Sequence, residues 1–392
     1  MTLLSQEQSF ASKGINEWIK KADQQYCKLV GYAGTGKTFL VNYIIQESNL
    51  KPNEVAFAAF TGKASLVLKT RNKKYNCSTI HRLIYDTEEG PNGPVFVSKN
   101  KDHNTLKKLK LIIVDEASMV PKNIFEDLIS LGIQILFIGD EGQLPPIGSE
   151  IFNVLENPNF RLTQIHRQAE GNPIIWLSML AREGKTINPG KYGKNVYVLG
   201  RGEAKKELID KLYLRSDQIL CGYNSSRKKI NDRVRELKGY SNPLPQIGDK
   251  LITLKNSWDN VIDGFPLING MTGFVEKVSY EVNEKDINID SIKLDFMPDF
   301  LEDQSFRGLI IPKSDFTSKD PLKLSREEFS LYERADYGYC ITTHKSQGSQ
   351  YPNLFVRNEI LDSKTHNQWL YTAITRAEIN LILDLFPSKL IA

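Results

Sequence analysis

Gly31-Tyr-Ala-Gly-Thr-Gly-Lys-Thr38 constrains this chain more than any other stretch. It fits G-x-x-x-x-G-K-(S/T), the pattern of a phosphate-binding loop. An apolar run, Tyr26 to Val30, precedes it and predicts a buried strand; Thr38 to Ile45 follows and predicts a helix with one apolar face. The glycines Gly31, Gly34 and Gly36 let the backbone wrap an anion without Cβ clashes, so that the amides of the loop, Ala33 and Thr35 included, and the helix N-terminus point at it. Lys37 is placed to reach the β- and γ-phosphates of a nucleotide, and the Thr38 hydroxyl to hold Mg²⁺. A chance glycine turn would not also set lysine and threonine in register.

Length and charge decide little beyond this. At 392 residues the chain has room for two or three domains, and 40% hydrophobic with 25% charged residues can bury a sizeable core. A net charge of +4 gives only weak support for a nucleic-acid partner. Cys27, Cys77, Cys221 and Cys340 are far apart in sequence, which predicts reduced thiols in a cytoplasmic protein rather than disulfides or a zinc site. No stretch has membrane-spanning length, and Met1 to Phe10 lacks the pattern of a signal peptide.

Other motifs fall at the ends of apolar runs. Ser5 and Gln8 have capping-box spacing before a helical pattern; Gln8 could instead read an adenine, since its amide both donates and accepts. Glu54 to Phe60 predicts a second strand, followed by Thr61-Gly-Lys63, which suits either a backbone phosphate or an ordinary strand-to-helix turn. Leu109 to Val114 predicts a third strand, ending in Asp115-Glu116. There Asp115 can hold Mg²⁺ and Glu116 can activate water; two adjacent carboxylates repel unless a cation is present. Ile133 to Ile138 predicts a fourth strand, after which Gln143 could sense a γ-phosphate. Near-continuous apolar strands alternating with helices predict an α/β chain with a parallel sheet covered on both faces.

In this order, Gly-Tyr-Ala-Gly-Thr-Gly-Lys-Thr, Thr-Gly-Lys-Ala, Thr-Ile-His, Asp-Glu-Ala-Ser and Gly-Asp-x-x-Gln-Leu-Pro-Pro resemble superfamily-1B DNA helicases of the RecD-like and Dda-like group. Leu162 to Arg167, Tyr339 to Gly348 and Tyr371 to Ala377 are similar to that group's later motifs, so the likeness runs from Gln8 to Ala377. The resemblance implies two RecA-like domains with ATP between them. It implies that Gln8 reads adenine, that Arg167 and Arg376 act on the γ-phosphate, and that Gly348 belongs to the nucleotide set. Thr61, Lys63, His81, Asn224, Thr343, His344 and Lys345 become DNA-contact candidates, with packed structural roles open for His81 and His344. Two positions depart: Phe60 stands where the group has proline and Gln350 where it has glutamate, which bears on DNA grip and a ribose contact.

The resulting layout is a first RecA-like domain at 1–84 and 106–165, interrupted by a β-hairpin at 85–105. A second RecA-like domain follows at 166–245 and 334–392, interrupted at 246–333 by a small β-barrel. Within the barrel, Leu251 to Leu254, Gly273 to Val278, Ile287 to Ile289, Ile292 to Leu294 and Leu309 to Ile311 predict short strands. Asp336 to Thr342 predicts one buried strand. The hairpin has turn residues at Gly90 to Pro94 and an aromatic, Phe96, that could meet a base at a fork. The expectation is an ATP- and Mg²⁺-dependent 5′-to-3′ translocase and helicase serving DNA replication, repair or recombination, a monomer acting on single-stranded DNA and duplex junctions, with replication or repair proteins as partners. An RNA helicase and a non-unwinding ATP-dependent DNA-loading protein are the alternatives.

Overall fold

The computed structural model describes residues 4–90, 93–145, 152–165, 171–200, 205–262, 265–282, 287–301, 303–318, 322, 324–359 and 365–385. The chain forms two compact units, Met1–Ile187 with Asp362–Thr375, and Asn188–Leu361 with Arg376–Ala392.

The first unit is built on a six-stranded parallel sheet. Its strands are β1 (Tyr26–Gly31), β2 (Val55–Ala59), β3 (Asn76–Thr79), β6 (Leu111–Asp115), β7 (Gln134–Gly139) and β8 (Phe160–Leu162), in the order β3-β2-β6-β7-β1-β8. Every residue of β2 is buried, as expected of a strand with helices on both faces. Register puts the chemistry in one row. Ala59 is level with Thr79 and Asp115, Val30 with Gly139, and Gly31 with Leu162, so the motif loops all leave the same edge of the sheet. Helix α1 (Gln6–Lys21) starts at the predicted capping box, with Ser5 and Gln8 each bonding the other's backbone N–H. Helix α2 (Lys37–Glu47) follows β1, and α3 (Gly62–Arg71) and α4 (Ile80–Ile84) follow β2 and β3. Helix α5 (Lys122–Ser130) precedes β7; α6 (Pro173–Arg182) and, from much later in the chain, α11 (His366–Ile374) complete the unit.

The predicted hairpin is present: β4 (Tyr85–Gly90) pairs antiparallel with β5 (Gly93–Ser98), with Thr87 opposite Phe96. The Phe96 side chain lies outside the described residues.

The second unit carries a six-stranded sheet in the order β19-β11-β20-β21-β10-β9. Its members are β9 (Gly190–Tyr192), β10 (Val196–Leu199), β11 (Gln218–Cys221), β19 (Cys340–Thr342), β20 (Tyr351–Arg357) and β21 (Ala377–Asp384); only β9 runs antiparallel. Helix α7 (Lys206–Arg215) leads into β11 and α8 (Asn224–Leu237) leaves it; two short helices, α9 (Ser314–Thr317) and α10 (Arg326–Leu331), come later in the chain. A separate antiparallel sheet has β12 (Lys250–Thr253), β15 (Thr272–Ser279), β16 (Ser291–Pro298), β17 (Phe306–Pro312) and β18 (Ala335–Tyr337), in the order β17-β16-β15-β12-β18. A two-stranded ladder, β13 (Ser257–Ile262) with β14 (Phe265–Leu267), accompanies it. This sheet occupies the stretch where a barrel was expected, and among the described residues no ladder joins its end strands.

Two expectations are corrected here. Ile287 to Ile289 is not a strand: the Asn288 and Ile289 amides donate to the Tyr332 hydroxyl, both at 3.0 Å, instead of to a neighbouring strand. Asp336 to Thr342 is two strands rather than one. The chain passes from the antiparallel to the parallel sheet at Gly338, where a Cβ would come within 2.7 Å of the Leu251 backbone.

Candidate active site

The phosphate loop has the backbone its glycines permit. Gly34 and Gly36 have φ of 82° and 77°, the left-handed region that a Cβ disfavours. A Cβ on Gly31 would meet Thr35 Oγ1 at 2.6 Å and Leu162 Cβ at 3.0 Å. Thr35 Oγ1 donates to the Tyr32 carbonyl at 2.8 Å. Lys37 Nζ donates to the Gly31 and Tyr32 carbonyls at 2.6 and 3.0 Å, curled along the loop it would serve. Among the described residues no side chain caps α2, whose N-cap is Gly36, and Thr38 is exposed in its first turn. Amides and dipole at this end therefore face outward.

Asp115 and Glu116 leave the end of β6. Glu116 has φ 49° and ψ 41°, a left-handed conformation uncommon for a side chain with a Cβ and found at functional turns. The Asp115 carboxylate accepts from the Glu116 amide at 2.9 Å. Burial first, then the neighbouring Glu116 charge, push Asp115 up to about 6, while Lys37 and Arg71 pull the other way. A carboxylate held in that setting suits a divalent cation. With the Thr38 hydroxyl it offers the hard oxygen donors that Mg²⁺ takes alongside water and phosphate. Gln143 is 7% exposed, and its Oε1 has no partner among the described residues.

The amide of Gln8 is engaged inside the protein. Oε1 accepts from Ser5 N–H at 3.1 Å, and Nε2 donates to the Thr35 carbonyl at 3.1 Å. The capping geometry is thus realised, and the same side chain braces the phosphate loop.

Three residues to which the sequence reading assigned no role also shape the site. Glu7 accepts from the Thr163 amide (2.7 Å), the Thr163 hydroxyl (2.6 Å) and the Gln164 amide (2.9 Å). These bonds hold its carboxyl below the ordinary glutamate value against the opposing effect of burial. Arg182 lies over the Tyr32 ring, its guanidinium carbon 3.4 Å from the centroid. Tyr371 accepts from the Ala33 amide at 3.0 Å and donates to the Asp140 carboxylate. Ala33 and Tyr371 are 338 residues apart in sequence, so no local pattern could pair them. The signal available was that Tyr371 and Thr372 lie inside the last motif.

The other predicted residues are distributed as follows. Thr61 is the N-cap of α3, its hydroxyl accepting from Ala64 N–H at 3.2 Å, and Lys63 is partly exposed beside it. His81 sits between the rings of Phe60 and Tyr85, with centroids 5.6 and 5.9 Å away, and burial lowers its pKa, favouring the neutral ring. In the second unit Asn224 is exposed and accepts from Arg227 at 3.3 Å. Thr343 is wholly buried, His344 is partly buried with its pKa lowered by burial, and Lys345 is exposed. Gly348 has φ 77°, and Arg376, 4% exposed, reaches the Ser349 carbonyl at 3.4 Å. Arg167 lies outside the described residues.

A parallel sheet, a phosphate loop after its first strand and an acidic pair after the strand two places away define a nucleotide-binding domain of the RecA-like class. Residues 4–198 match the AAA domain family, and residues 337–383 match the UvrD-like helicase C-terminal domain. The chain belongs to the superfamily-1B helicases. It is 26% identical to the ATP-dependent RecD2 DNA helicase of Deinococcus radiodurans, over 94% of this chain and 48% of that protein. It is 24% identical to the ATP-dependent DNA helicase Pif1 of Campylobacter jejuni, over 92% of this chain and 88% of the relative. The chain thus spans about half the length of the Deinococcus protein. A solved structure of Bacteroides Pif1 bound to single-stranded DNA shares the fold, with a TM-score of 0.57 at 18% identity, covering 99% of this chain and 94% of that one. Among the described residues no helix is long and apolar enough to cross a membrane.

Proposed function

We propose that this chain is an ATP-driven motor that moves 5′ to 3′ on single-stranded DNA and separates duplex strands. The observation that carries the reading is the uncapped start of α2, with Lys37, Asp115, Glu116 and Gln143 leaving the same edge of one sheet. The relatives named as ATP-dependent DNA helicases support it.

In this reading the loop amides and Lys37 bind the phosphates, and Glu116 takes the proton from the attacking water. Gln143 orients that water and reports the γ-phosphate. Thr38 and Asp115 would hold Mg²⁺, which supplies positive charge to the phosphates when bound. Gln8 reads the adenine after giving up its internal partners. Gly348 belongs to the nucleotide-binding set, and Arg167 and Arg376 stabilise charge on the transferring phosphoryl group. Thr61, Lys63, His81, Asn224, Thr343, His344 and Lys345 contact the strand, mostly at phosphates. The segments 85–105 and 246–333 are accessory insertions in the two RecA-like domains.

The test is phosphate release with single-stranded DNA or RNA as activator, combined with strand displacement on duplexes carrying a 5′ or a 3′ tail. The expected result is DNA-stimulated hydrolysis and displacement of 5′-tailed duplex. Stimulation by RNA alone would replace DNA with RNA in the reading, and hydrolysis without displacement would make the chain a loading ATPase. The same assays examine the hairpin as a strand-separating pin. Phe96→Ala should lower displacement several-fold, as expected for loss of a base stack worth about 1–3 kcal/mol, while leaving DNA-stimulated ATPase near its starting value. A proportional fall in both would remove Phe96 from the fork.

A further inference from the structure

The Gln143 amide oxygen is buried and unpartnered, and an unmet buried acceptor stays in place only if its surroundings hold it there. The backbone on either side of it is fixed by helix α11. The Thr372 hydroxyl accepts from the Leu144 amide at 2.9 Å and donates to the Gln368 carbonyl within its own helix. The Gly142 amide donates to Asp140 Oδ1 at 2.9 Å, and Asp140 Oδ2 takes the Tyr371 hydroxyl proton. The same Tyr371 oxygen accepts from Ala33 N–H on the crown of the phosphate loop. Tyr371 is wholly buried and Asp140 is 1% exposed, so water does not compete for these bonds. A Cβ on Gly142 would meet the Tyr371 ring at 3.0 Å and the Arg182 side chain at 3.3 Å, so the turn before Gln143 is also closely packed.

We propose that Tyr371 and Thr372 are positioning residues for Gln143, their adjacent hydroxyls holding the 140–144 turn in fixed register with the phosphate loop. Burial keeps the Tyr371 phenol protonated and able to donate at any working pH. The chain leaves the first unit immediately after this helix, between Thr375 and Arg376. A change in the register of the 140–144 turn would therefore be felt in a helix contiguous in sequence with the arginine of the last motif. This inference rests on the proposed ATPase reading.

The test is turnover and nucleotide affinity, measured on the folded fraction, for Tyr371→Phe, Thr372→Val and each combined with Gln143→Ala. Because the phenol and the threonine hydroxyl act on the turn and not on the phosphates, each single variant should lose about tenfold in turnover, with the affinity for a non-hydrolysable ATP analogue changed less than about twofold. Thr372→Ser, which keeps the hydroxyl, should restore the rate. Combined with Gln143→Ala, neither variant should add a further loss, since residues acting through one group are not additive. Fully additive losses, or equal losses of affinity and rate, would overturn the positioning role. If Tyr371→Phe did not fold, the Thr372→Val and Thr372→Ser pair would decide alone. No turnover in the parent chain would overturn the ATPase reading itself; turnover unaffected in both variants would overturn this inference only.

Discussion

Each unit has a buried parallel strand that turns into a helix, and the two turns treat their backbone amides in opposite ways. In the first unit, β1 passes through a glycine loop into α2, and among the described residues no side chain caps the helix. In the second, β11 passes through Gly222 and Tyr223 into α8, and the turn is filled by the chain's own carboxylate. Glu359 Oε2 accepts from the Gly222 amide at 2.8 Å and the Tyr223 amide at 3.0 Å, and Oε1 accepts the Ser226 hydroxyl proton. Arg357 balances that buried charge from 3.7 Å. A strand-to-helix turn attracts an anion in both places. The fold supplies one internally and leaves the other to be supplied by a ligand. The same architecture thus yields a structural joint and a binding site, and the difference lies in a few residues rather than in topology.

The largest expected effect tests the open turn. Glu116→Gln should retain nucleotide binding while phosphate release falls by about 10²–10⁴, the usual contribution of a positioned base. Lys37→Ala should lose hydrolysis as well, because the ammonium curled along the loop is the charge placed to neutralise the β- and γ-phosphates. A Glu116→Gln protein turning over normally would take the base assignment away from this carboxylate.

The closed turn should respond in stability instead. Glu359 is 9% exposed, and Glu359→Ala strands two backbone amides and leaves Arg357 without its counter-charge. A loss of about 2–4 kcal/mol is expected, read as a shift of the unfolding transition. Analogue binding at the phosphate loop should stay within about twofold of the parent under conditions where the variant is folded. If stability were unmoved, the contrast between a filled and an open turn would lose its energetic basis.

What could be read in the sequence follows from where the information is local. The phosphate loop, Asp115-Glu116 and the turn before Gln143 announce themselves because glycine and acidic residues interrupt apolar strands. The hairpin also shows, through its Gly-Pro turn. Strand β3, Asn-Cys-Ser-Thr, was missed because it is an edge strand with too few apolar residues to stand out. Strand β20 was missed although it is central, because Pro352 and Asn353 mask its apolar half. Asp336 to Thr342 read as one strand because both halves are buried, and only the close approach at Gly338 shows that they serve different sheets. The Tyr371 and Glu7 bonds join residues far apart in the chain, which periodicity does not register.

The smallest expected effect refines the contrast inside the first unit. Glu7 does for the 162–164 segment what Glu359 does for the second unit: one carboxylate gathers two amides and a hydroxyl. The site is far more open to solvent than that of Glu359, so its contribution should be under about 1 kcal/mol. The sign follows from its pKa. The folded-state value is lowered, so the ionised form is the one that stabilises; that contribution is complete above the ordinary glutamate value of about 4.3 and is lost as pH falls through the lower folded value. Parent and Glu7→Gln should therefore differ slightly in unfolding free energy at pH 7 and converge as the pH falls below the lowered folded value. A difference that stayed constant across that range would mean that packing, and not the charged carboxylate, is what Glu7 contributes. The likeness to Glu359 would then be one of shape alone.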